Sequence, residues 1–176
     1  MSAATRVRST IVLAQPGRVR QVAVPPGARA RSTLPRIDYA DSFLVETGLG
    51  QERTAEQWAR AILEDAPILM QQVLRWGWAT LGLKLRTTPS RHSVLGWEVR
   101  HAVPNFVLLG AHSRTGMPAE LLFERQRSAL TVTTFCQLTN PAARAVWVPV
   151  ERIHRRVVPY VLGQRVETIR AEQKAR

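Results

Sequence analysis

The sequence contains a single cysteine, Cys136, so the chain cannot form an internal disulfide bond. Its neighbours, TVTTFCQL, alternate like a β-strand, and a lone cysteine in a strand is typically a small buried hydrophobic residue. No apolar run approaches the roughly 18 residues that a membrane span requires, and the segment STIVLAQPG is too short for the core of a signal peptide. These absences favour a soluble, cytoplasmic protein with no membrane insertion.

Motifs of several common enzyme classes are also missing. The four histidines, at positions 92, 101, 112 and 154, have no metal-ligand spacing with one another or with Cys136, so we expect no metal site and no cofactor. There is no G-x-S-x-G elbow, no Walker-type Gly-Lys loop and no G-x-G-x-x-G after a strand. The sequence therefore disfavours hydrolase, NTPase and dinucleotide-binding functions.

Acidic residues are scarce at the two ends of the chain. Residues 1–36 contain seven arginines and no acid, residues 37–140 contain ten charges of each sign, and residues 141–176 contain eight basic and three acidic residues. The neutral middle argues against a dedicated nucleic-acid surface, whereas the basic ends allow weak, salt-sensitive contacts with phosphates. Few aromatic residues accompany these arginines, so stacking on bases is unsupported. We expect no specific nucleic-acid partner.

A length of 176 residues fits one domain of ordinary size. Residues 1–17 are basic and lack periodicity, which predicts a disordered N-terminal arm. Residues 18–165 form the predicted folded domain, and residues 166–176 form a polar tail or a helix extension. Within the domain, a proline-containing segment predicts an extended stretch with a turn at residues 25–27, and RIDYADSFLVE predicts a first strand over residues 37–46.

The remaining segments predict an α+β order. Thr54 and Gln57 form a capping box that opens a helix, and Pro67 suits the first turn of a second helix. Four alternating segments predict an antiparallel run of strands: VLGWEVRHA, FVLLGAHS, MPAELLFER and ALTVTTFCQLTN. Asn140 and Pro141 then cap a long C-terminal helix. We therefore expect two short helices after strand one and an antiparallel sheet covered by the final helix.

The apolar pattern of the C-terminal helix predicts which of its faces packs on the sheet. On a helical wheel centred on Val146, an apolar stripe contains Val150, Ile153, Val157, Tyr160 and Val161. This stripe is expected to face the sheet. Three arginines lie on the other side of the wheel: Arg152, Arg155 and Arg156. They are interpreted as a solvated face, with a phosphate-binding face as the alternative.

His154 lies at the edge of the stripe, about 80° from Val146. It is either a site residue or a histidine at the core boundary, bonded to a backbone carbonyl. Pro149 and Pro159 each remove a helical hydrogen bond and are expected to bend the axis.

Strand alternation predicts which side chains point inward. The predicted ligand cavity contains Trp97, Val99, His101, Leu121, Phe123, Val132, Thr134, Cys136, His154 and Val157. Of these, His101 and His154 are titratable near a largely apolar pocket, a pattern suited to orienting a ligand or to general acid/base chemistry. His101 could instead reach solvent at the strand end, and Trp97 could be core rather than cavity wall.

The segments LPRIDYADSF, RTAEQWARAILEDAP, VLGWEVRHAVPNFVLLGAHS, LTVTTFCQLTN and WVPVERIHRRVVPYVL resemble an uncharacterised bacterial family within the START-like, or SRPBCC, helix-grip superfamily. The likeness runs from about residue 19 to residue 165. Its most specific pieces are LGW before the sheet and the spacing of Trp147, Pro149, His154, Arg155 and Pro159. The family usually enters its last helix through Gly-Arg and Tyr-Trp pairs; here Ala143 and Val146 replace the glycine and the tyrosine.

The resemblance implies a sheet wrapped around the C-terminal helix, with an apolar cavity between them for lipid- or polyketide-like ligands. Three hypotheses follow. The protein binds a small hydrophobic molecule; or it is a cyclase- or aromatase-type enzyme that uses His101 or His154 in the same cavity; or its basic termini bind nucleic acid or another anionic surface weakly. The sequence favours a binding protein over an enzyme, but it contains no feature that separates the two.

Overall fold

A computed structural model describes residues 19–48 and 53–174, with the side chains of residues 173 and 174 left out. The described elements are β1 (Val19–Val22), α1 (Pro26–Arg31), β2 (Tyr39–Glu46), α2 (Ala55–Leu63), α3 (Ile68–Thr80), β3 (Leu83–Lys84), β4 (Ser93–Val94), β5 (Trp97–Val103), β6 (Phe106–Ser113), β7 (Ala119–Arg125), β8 (Ala129–Cys136) and α4 (Pro141–Lys174). The predicted disordered arm, residues 1–17, lies outside the described residues.

The strands form an antiparallel sheet in the order β1-β2-β8-β7-β6-β5-β4, and the short β3 pairs with β6. β2 pairs with β8 along its whole length, from Tyr39 opposite Cys136 to Glu46 opposite Ala129. Sequence-adjacent strands β5 to β8 pair by short connections, as their alternation predicts. The predicted α+β fold is therefore confirmed: an antiparallel sheet with two helices after its first long strand and a long C-terminal helix, a helix-grip-like arrangement.

Because side chains alternate along each strand, the sheet has two faces with different covers. The inner face packs against α2 and α4 in the main core, which includes Trp58, Phe123 and Val166. The outer face carries a smaller cluster of Leu108, Leu122 and Phe135, covered by the segment between β1 and β2. The prediction of an extended stretch there is partly wrong, because residues 26–31 form α1 with a proline in its first turn, where no amide hydrogen bond is lost.

A buried acid ties that covering segment to the outer face. The Glu120 side chain is fully buried and accepts hydrogen bonds from the Ser32 hydroxyl and from the backbone and hydroxyl of Thr33. Arg100, from the neighbouring part of the sheet, donates to the same carboxylate. Residues 32–33 are thus held on the sheet by a fully bonded charged pair.

The LGW sequence forms the tight turn that joins β4 to β5. Val94 pairs with Trp97, and the two residues between them have positive φ, 47° at Leu95 and 91° at Gly96. A two-residue turn with both φ values positive matches the twist of an antiparallel hairpin. A Cβ at Gly96 would lie 2.7 Å from the Arg86 carbonyl oxygen, so glycine is required there. The turn positions the Trp97 indole on the inner face, where it is buried.

The apolar stripe predicted for α4 is largely wrong. Val146, Ile153, Val157 and Tyr160 are exposed, whereas Val150 is half-buried and Val161 is buried. The residues that face the sheet and α2 are instead Ala143, Trp147, Val150, His154, Val158, Val161, Leu162, Val166 and Ile169. These residues form a separate stripe along α4, and its centre lies about 100° from Val146 on the helical wheel.

Two other predictions for α4 have clear outcomes. Arg152, Arg155 and Arg156 are exposed, as the solvated-face interpretation predicts. The helix also continues over residues 166–174, and Val166 and Ile169 are buried in the core. The folded part of the chain therefore extends beyond residue 165.

The predicted helices after β2 differ in how they pack. In α2, the Thr54 hydroxyl accepts from the Gln57 amide and the Gln57 side chain accepts from the Thr54 amide, which confirms the capping box. Its C-terminal end is joined to α4 by Arg165, whose Nη2 donates to the Ala61 carbonyl oxygen over 3.0 Å. By contrast, α3 has no fully buried residue: Met70, Leu74 and Trp78 are half-buried and pack on the edge of the core, and a space remains open beneath the helix.

Candidate functional site

The space beneath α3 is a half-open apolar cleft of about 320 Å³, here called the outer cleft. Its floor is the inner face of the sheet, through Leu121, Phe123, Val132 and Thr134. One wall is α3, through Val73, Leu74, Gly77, Trp78, Thr80 and Leu81. The opposite wall is α4, through Val150, Ile153, His154, Val157, Val158, Val161 and Leu162, and the end of α2 adds Ile62 and Leu63.

The mouth of the outer cleft exposes large apolar side chains. Val73 on α3 and Ile153 on α4 both line the cleft, and they are 61% and 62% exposed. Further along α3, Ile68, Leu69 and Trp76 are also exposed. Soluble proteins seldom cluster such residues on their surface without an occupant or a partner for them. On α4, the exposed Ile153 and Val157 are part of the cleft wall, whereas the exposed Val146 and Tyr160 do not line it.

A second, smaller space continues the cleft towards β5 and β8. This inner pocket has a volume of about 50 Å³. It shares six lining residues with the outer cleft: Trp78, Leu81, Leu121, Thr134, Val150 and His154. Its remaining lining is Leu83, Trp97, Met117, Ala119, Cys136 and Trp147. The two spaces are therefore adjacent, and His154 lies at their common wall.

A buried acid holds the His154 ring. Asp41, on the inner face of β2, has a side chain only 1% exposed, and the His154 Nε2 lies 3.4 Å from its Oδ1 and 3.3 Å from its Oδ2. Tyr39, two residues earlier on the same face, donates from its hydroxyl to Asp41 Oδ2 over 2.6 Å. Because a carboxylate only accepts, the Nε2 that faces it carries the ring hydrogen. Asp41 thereby fixes the tautomer and the orientation of His154.

Burial controls the other titratable groups around the pair. Burial, followed by the hydrogen bond to Asp41, raises the pKa of the Tyr39 hydroxyl well above its usual value, so this group remains a donor at neutral pH. Burial likewise raises the pKa of the Cys136 thiol. Burial thereby disfavours the thiolate, the nucleophilic form, and the Cys136 side chain lines the inner pocket as an apolar group.

Aromatic rings enclose the inner pocket. Trp147 packs against Tyr39 edge to face, with ring centroids 4.7 Å apart, and its ring lies 5.9 Å from that of His154. On the other side, Trp78 packs edge to face on Trp97 with centroids 5.3 Å apart. The indole nitrogens of both Trp97 and Trp147 are buried and have no hydrogen-bond partner among the described residues. Buried donors without an acceptor are uncommon in folded proteins and need an explanation.

Most residues of the predicted cavity do line these spaces. Phe123, Val132 and Val157 line the outer cleft, Trp97 and Cys136 line the inner pocket, and Leu121, Thr134 and His154 line both. Val99 is half-buried and packs on the core without lining either space.

The expectation that His101 points inward is wrong. A bulge between Val99 and His101 adds one residue to β5, so the alternation of side chains reverses after Arg100. His101 is exposed and stacks on Phe106 of the outer face, with ring centroids 5.2 Å apart.

Sequence reasoning missed three residues of the site: Tyr39, Asp41 and Trp147. Tyr39 and Asp41 share the inner face of β2 with the apolar Phe43 and Val45. An acid on an otherwise apolar strand face is a readable signal, because a buried charge needs a partner. The spacing of Trp147 contributes to the family resemblance, but a wheel centred on Val146 places this residue off the packing face.

Two absences concern the residues that the structure describes. No group of three or more acidic, histidine or cysteine side chains in residues 19–48 and 53–174 is arranged to hold a metal ion. No helix in the same part of the chain is long and apolar enough to cross a lipid bilayer.

Comparison with protein-family models, with the curated proteins and with the solved structures found no match. The likeness to a START-like family therefore stays a prediction from the sequence segments that carry it.

Proposed function

We propose that the protein binds a small hydrophobic molecule, lipid- or polyketide-like, in the outer cleft. The observation that carries this proposal is the cleft itself, an apolar space of about 320 Å³ that the sheet, α3 and α4 leave open. Its size is at the lower end of the range for small-molecule sites, which are typically apolar with a few placed polar groups. His154 supplies such a polar group at the inner end.

Gly77 supports the proposal, because it keeps the cleft open at a cost to its helix. Glycine inside a helix destabilises it by about 0.5–1 kcal/mol relative to alanine. A Cβ at Gly77 would meet nothing within 4 Å, so no packing constraint requires glycine there. The position lines the cleft, where a larger side chain would occupy the space left for a ligand.

This gives a direct test with an uncharged fluorescent probe, N-phenyl-1-naphthylamine. We expect the folded protein to bind the probe, and Gly77→Leu to weaken binding by about tenfold or more, since the added side chain fills the cleft. Gly77→Ala is the matched control, because it changes the same helix position with one methyl group. Equal affinity for all three proteins would contradict the proposal. Native mass spectrometry of the purified protein would identify any retained ligand.

The His154–Asp41 pair favours a second candidate, a cyclase- or aromatase-type enzyme. A histidine held by a buried carboxylate, with its other nitrogen available at a cleft, has the arrangement of a general base. His101, the other histidine considered, is on the outer face and has no part in it. A polyketide-like chain that cyclises with dehydration loses one water, which mass spectrometry detects. His154→Gln should abolish that loss if the pair is catalytic.

A further inference from the structure

The two helices that border the outer cleft carry exposed apolar side chains around its mouth. On α3, these are Leu69, Val73 and Trp76. Leu69 and Trp76 lie within about 60° of Val73 on the helical wheel, so they continue the mouth of the cleft along the outer side of the helix. On α4, the exposed Ile153 and Tyr160 lie within about 20° of each other. These five residues are here called the mouth surface.

Helix stability does not account for the mouth surface. At an exposed helix position, glutamine, lysine and glutamate have a higher helix propensity than valine or tryptophan. Trp76 is 73% exposed, so its large ring gains little from packing on the protein itself. Apolar side chains grouped in this way are typical of a surface that meets an apolar partner.

The segment that contains α3 has no acid. Residues 66–97 include four basic residues and neither aspartate nor glutamate. Three of the four line an open polar depression on the side of α3 away from the outer cleft: Arg75, Arg86 and Arg91. Two acids from α2 and its end also line this depression, but Arg60 forms ion pairs with both: Glu56 and Glu64. Asp65, an exposed acid, lies three residues before α3. The surroundings of α3 are therefore predominantly basic.

Arginines also border the mouth surface on α4. Arg156 and Arg152 are exposed and lie about 60° and 100° from Ile153 on the helical wheel, on the side away from the core. Neither arginine forms an ion pair with another described residue. Of the acids on this helix, Glu151 is paired with another arginine, and the rest lie about three turns or more beyond Arg156. The mouth surface thus has free positive charge on both of its helices.

We infer that the mouth surface docks on an anionic phospholipid bilayer, with its apolar side chains in the interfacial layer and the neighbouring arginines on the lipid headgroups. Exposed apolar residues flanked by basic ones are the pattern of interfacial membrane binding, and tryptophan favours the level of the headgroups. Val73 and Ile153 also line the outer cleft, so its mouth would open onto the bilayer. Docking does not require a ligand in the cleft, and it therefore goes beyond the proposed function.

A second copy of the chain fits the mouth surface less well than a bilayer does. In a symmetric pair, each copy would present the same arginines to the other, and like charges that face each other oppose association. The net charge of +12 adds to this repulsion. An anionic bilayer instead supplies both the apolar layer and the negative charge.

Flotation with lipid vesicles tests the docking. One set of vesicles contains phosphatidylcholine alone, and the other contains about one third phosphatidylglycerol, which is anionic. We expect the protein to bind the anionic vesicles about tenfold or more tightly than the neutral ones, because several arginines lie near the headgroups. The affinity should fall as the salt concentration rises.

A charge reversal locates the electrostatic part of the binding. Arg156→Glu should lower the affinity for the anionic vesicles by about tenfold or more. Arg29→Glu is the matched control, because it gives the same net charge at an exposed position of α1, which covers the outer face of the sheet. That variant should change the affinity by less than about threefold.

A second set of variants locates the apolar part. Leu69→Gln combined with Trp76→Gln should lower the affinity by about tenfold or more, because both side chains lose their contact with the interfacial layer. Val148→Gln is the control, since Val148 is also an exposed apolar residue but lies about 140° from Ile153 on the wheel of α4. It should bind the vesicles like the unmodified protein.

Each other result overturns the docking. Absence of binding to the anionic vesicles would do so directly, and equal losses in Arg156→Glu and Arg29→Glu would show attraction by net charge alone. If Leu69→Gln with Trp76→Gln left the affinity unchanged, no apolar contact would be involved. Self-association in sedimentation experiments, abolished by that double variant and accompanied by no vesicle binding, would assign the surface to a second copy. Failure of N-phenyl-1-naphthylamine to bind would count against the proposed function alone.

Discussion

The two faces of the sheet differ in how completely their buried polar groups are paired and their apolar residues are covered. On the outer face, Glu120 is fully buried and bonded to Ser32, Thr33 and Arg100, so both members of its charged pair have partners. On the inner side, Asp41 is paired with Tyr39 and His154, but the buried indole N–H groups of Trp97 and Trp147 have no acceptor in the described protein. At the mouth of the outer cleft, Val73 and Ile153 remain open to solvent.

Under the proposed function, the difference separates a structural surface from a ligand-binding one. A face that only has to be stable satisfies its polar groups and covers its apolar ones, as the outer face does with the segment around α1. A face that receives a ligand leaves apolar residues uncovered, and the ligand covers them. Under the proposed function, the inner face has this property at the outer cleft, between the sheet, α3 and α4.

The largest expected effect is on stability, when the buried charge pair of the outer face is broken. Glu120→Ala would leave the Arg100 guanidinium, 16% exposed, without its buried partner, and we expect the free energy of unfolding to fall by about 3–5 kcal/mol. Glu124→Ala is the control, because Glu124, on the same strand as Glu120, pairs with Arg31 of α1 in a more exposed contact that should contribute about 1 kcal/mol or less. Denaturant unfolding measures both. Similar small losses would show that the outer face is not held by this charge pair.

The second prediction compares two isoleucines of α4. Ile169 is 2% exposed in the core, whereas Ile153 is 62% exposed at the cleft mouth. Ile169→Ala should destabilise the protein by about 2–5 kcal/mol through lost burial and a residual cavity. Ile153→Ala should change stability by about 0.5 kcal/mol or less and act on probe binding instead. A large loss of stability for Ile153→Ala would show instead that Ile153 packs against the sheet, as the sequence predicts.

Much of the fold was predictable because its signals are local. The capping box at Thr54, the asparagine before Pro141 and the alternation of four consecutive segments each predict an element that the structure contains. The pairing of β5 to β8 then follows from short connections, whereas the pairing of β2 with β8 joins distant segments that no local pattern reveals. The short β1, β3 and β4 have no periodic signal, since two to four residues are too few to show one.

The errors at the candidate site arose where one residue changes the direction of many side chains. The bulge after Val99 reverses β5, and nothing in WEVRHAV marks it. In α4, apolar residues occur on both the core side and the cleft side, so a wheel centred on Val146 selected the wrong one. The contact of His154 with Asp41 joins residues 113 positions apart, which no local pattern reveals.

The smallest expected effects come from replacing a glycine by alanine on each side of the sheet. The free energy of unfolding should change in opposite directions at the two positions. Gly110 lies under Arg100 on the outer face, and a Cβ there would overlap a guanidinium that Glu120 holds in place. Gly110→Ala should therefore destabilise the protein by about 1–3 kcal/mol through overpacking. Gly77→Ala should instead stabilise it by about 0.5–1 kcal/mol, because the new methyl group meets nothing within 4 Å and alanine favours the helix. Denaturant midpoints measure both. A loss of stability in Gly77→Ala would mean that α3 lies closer to the sheet than an open cleft allows.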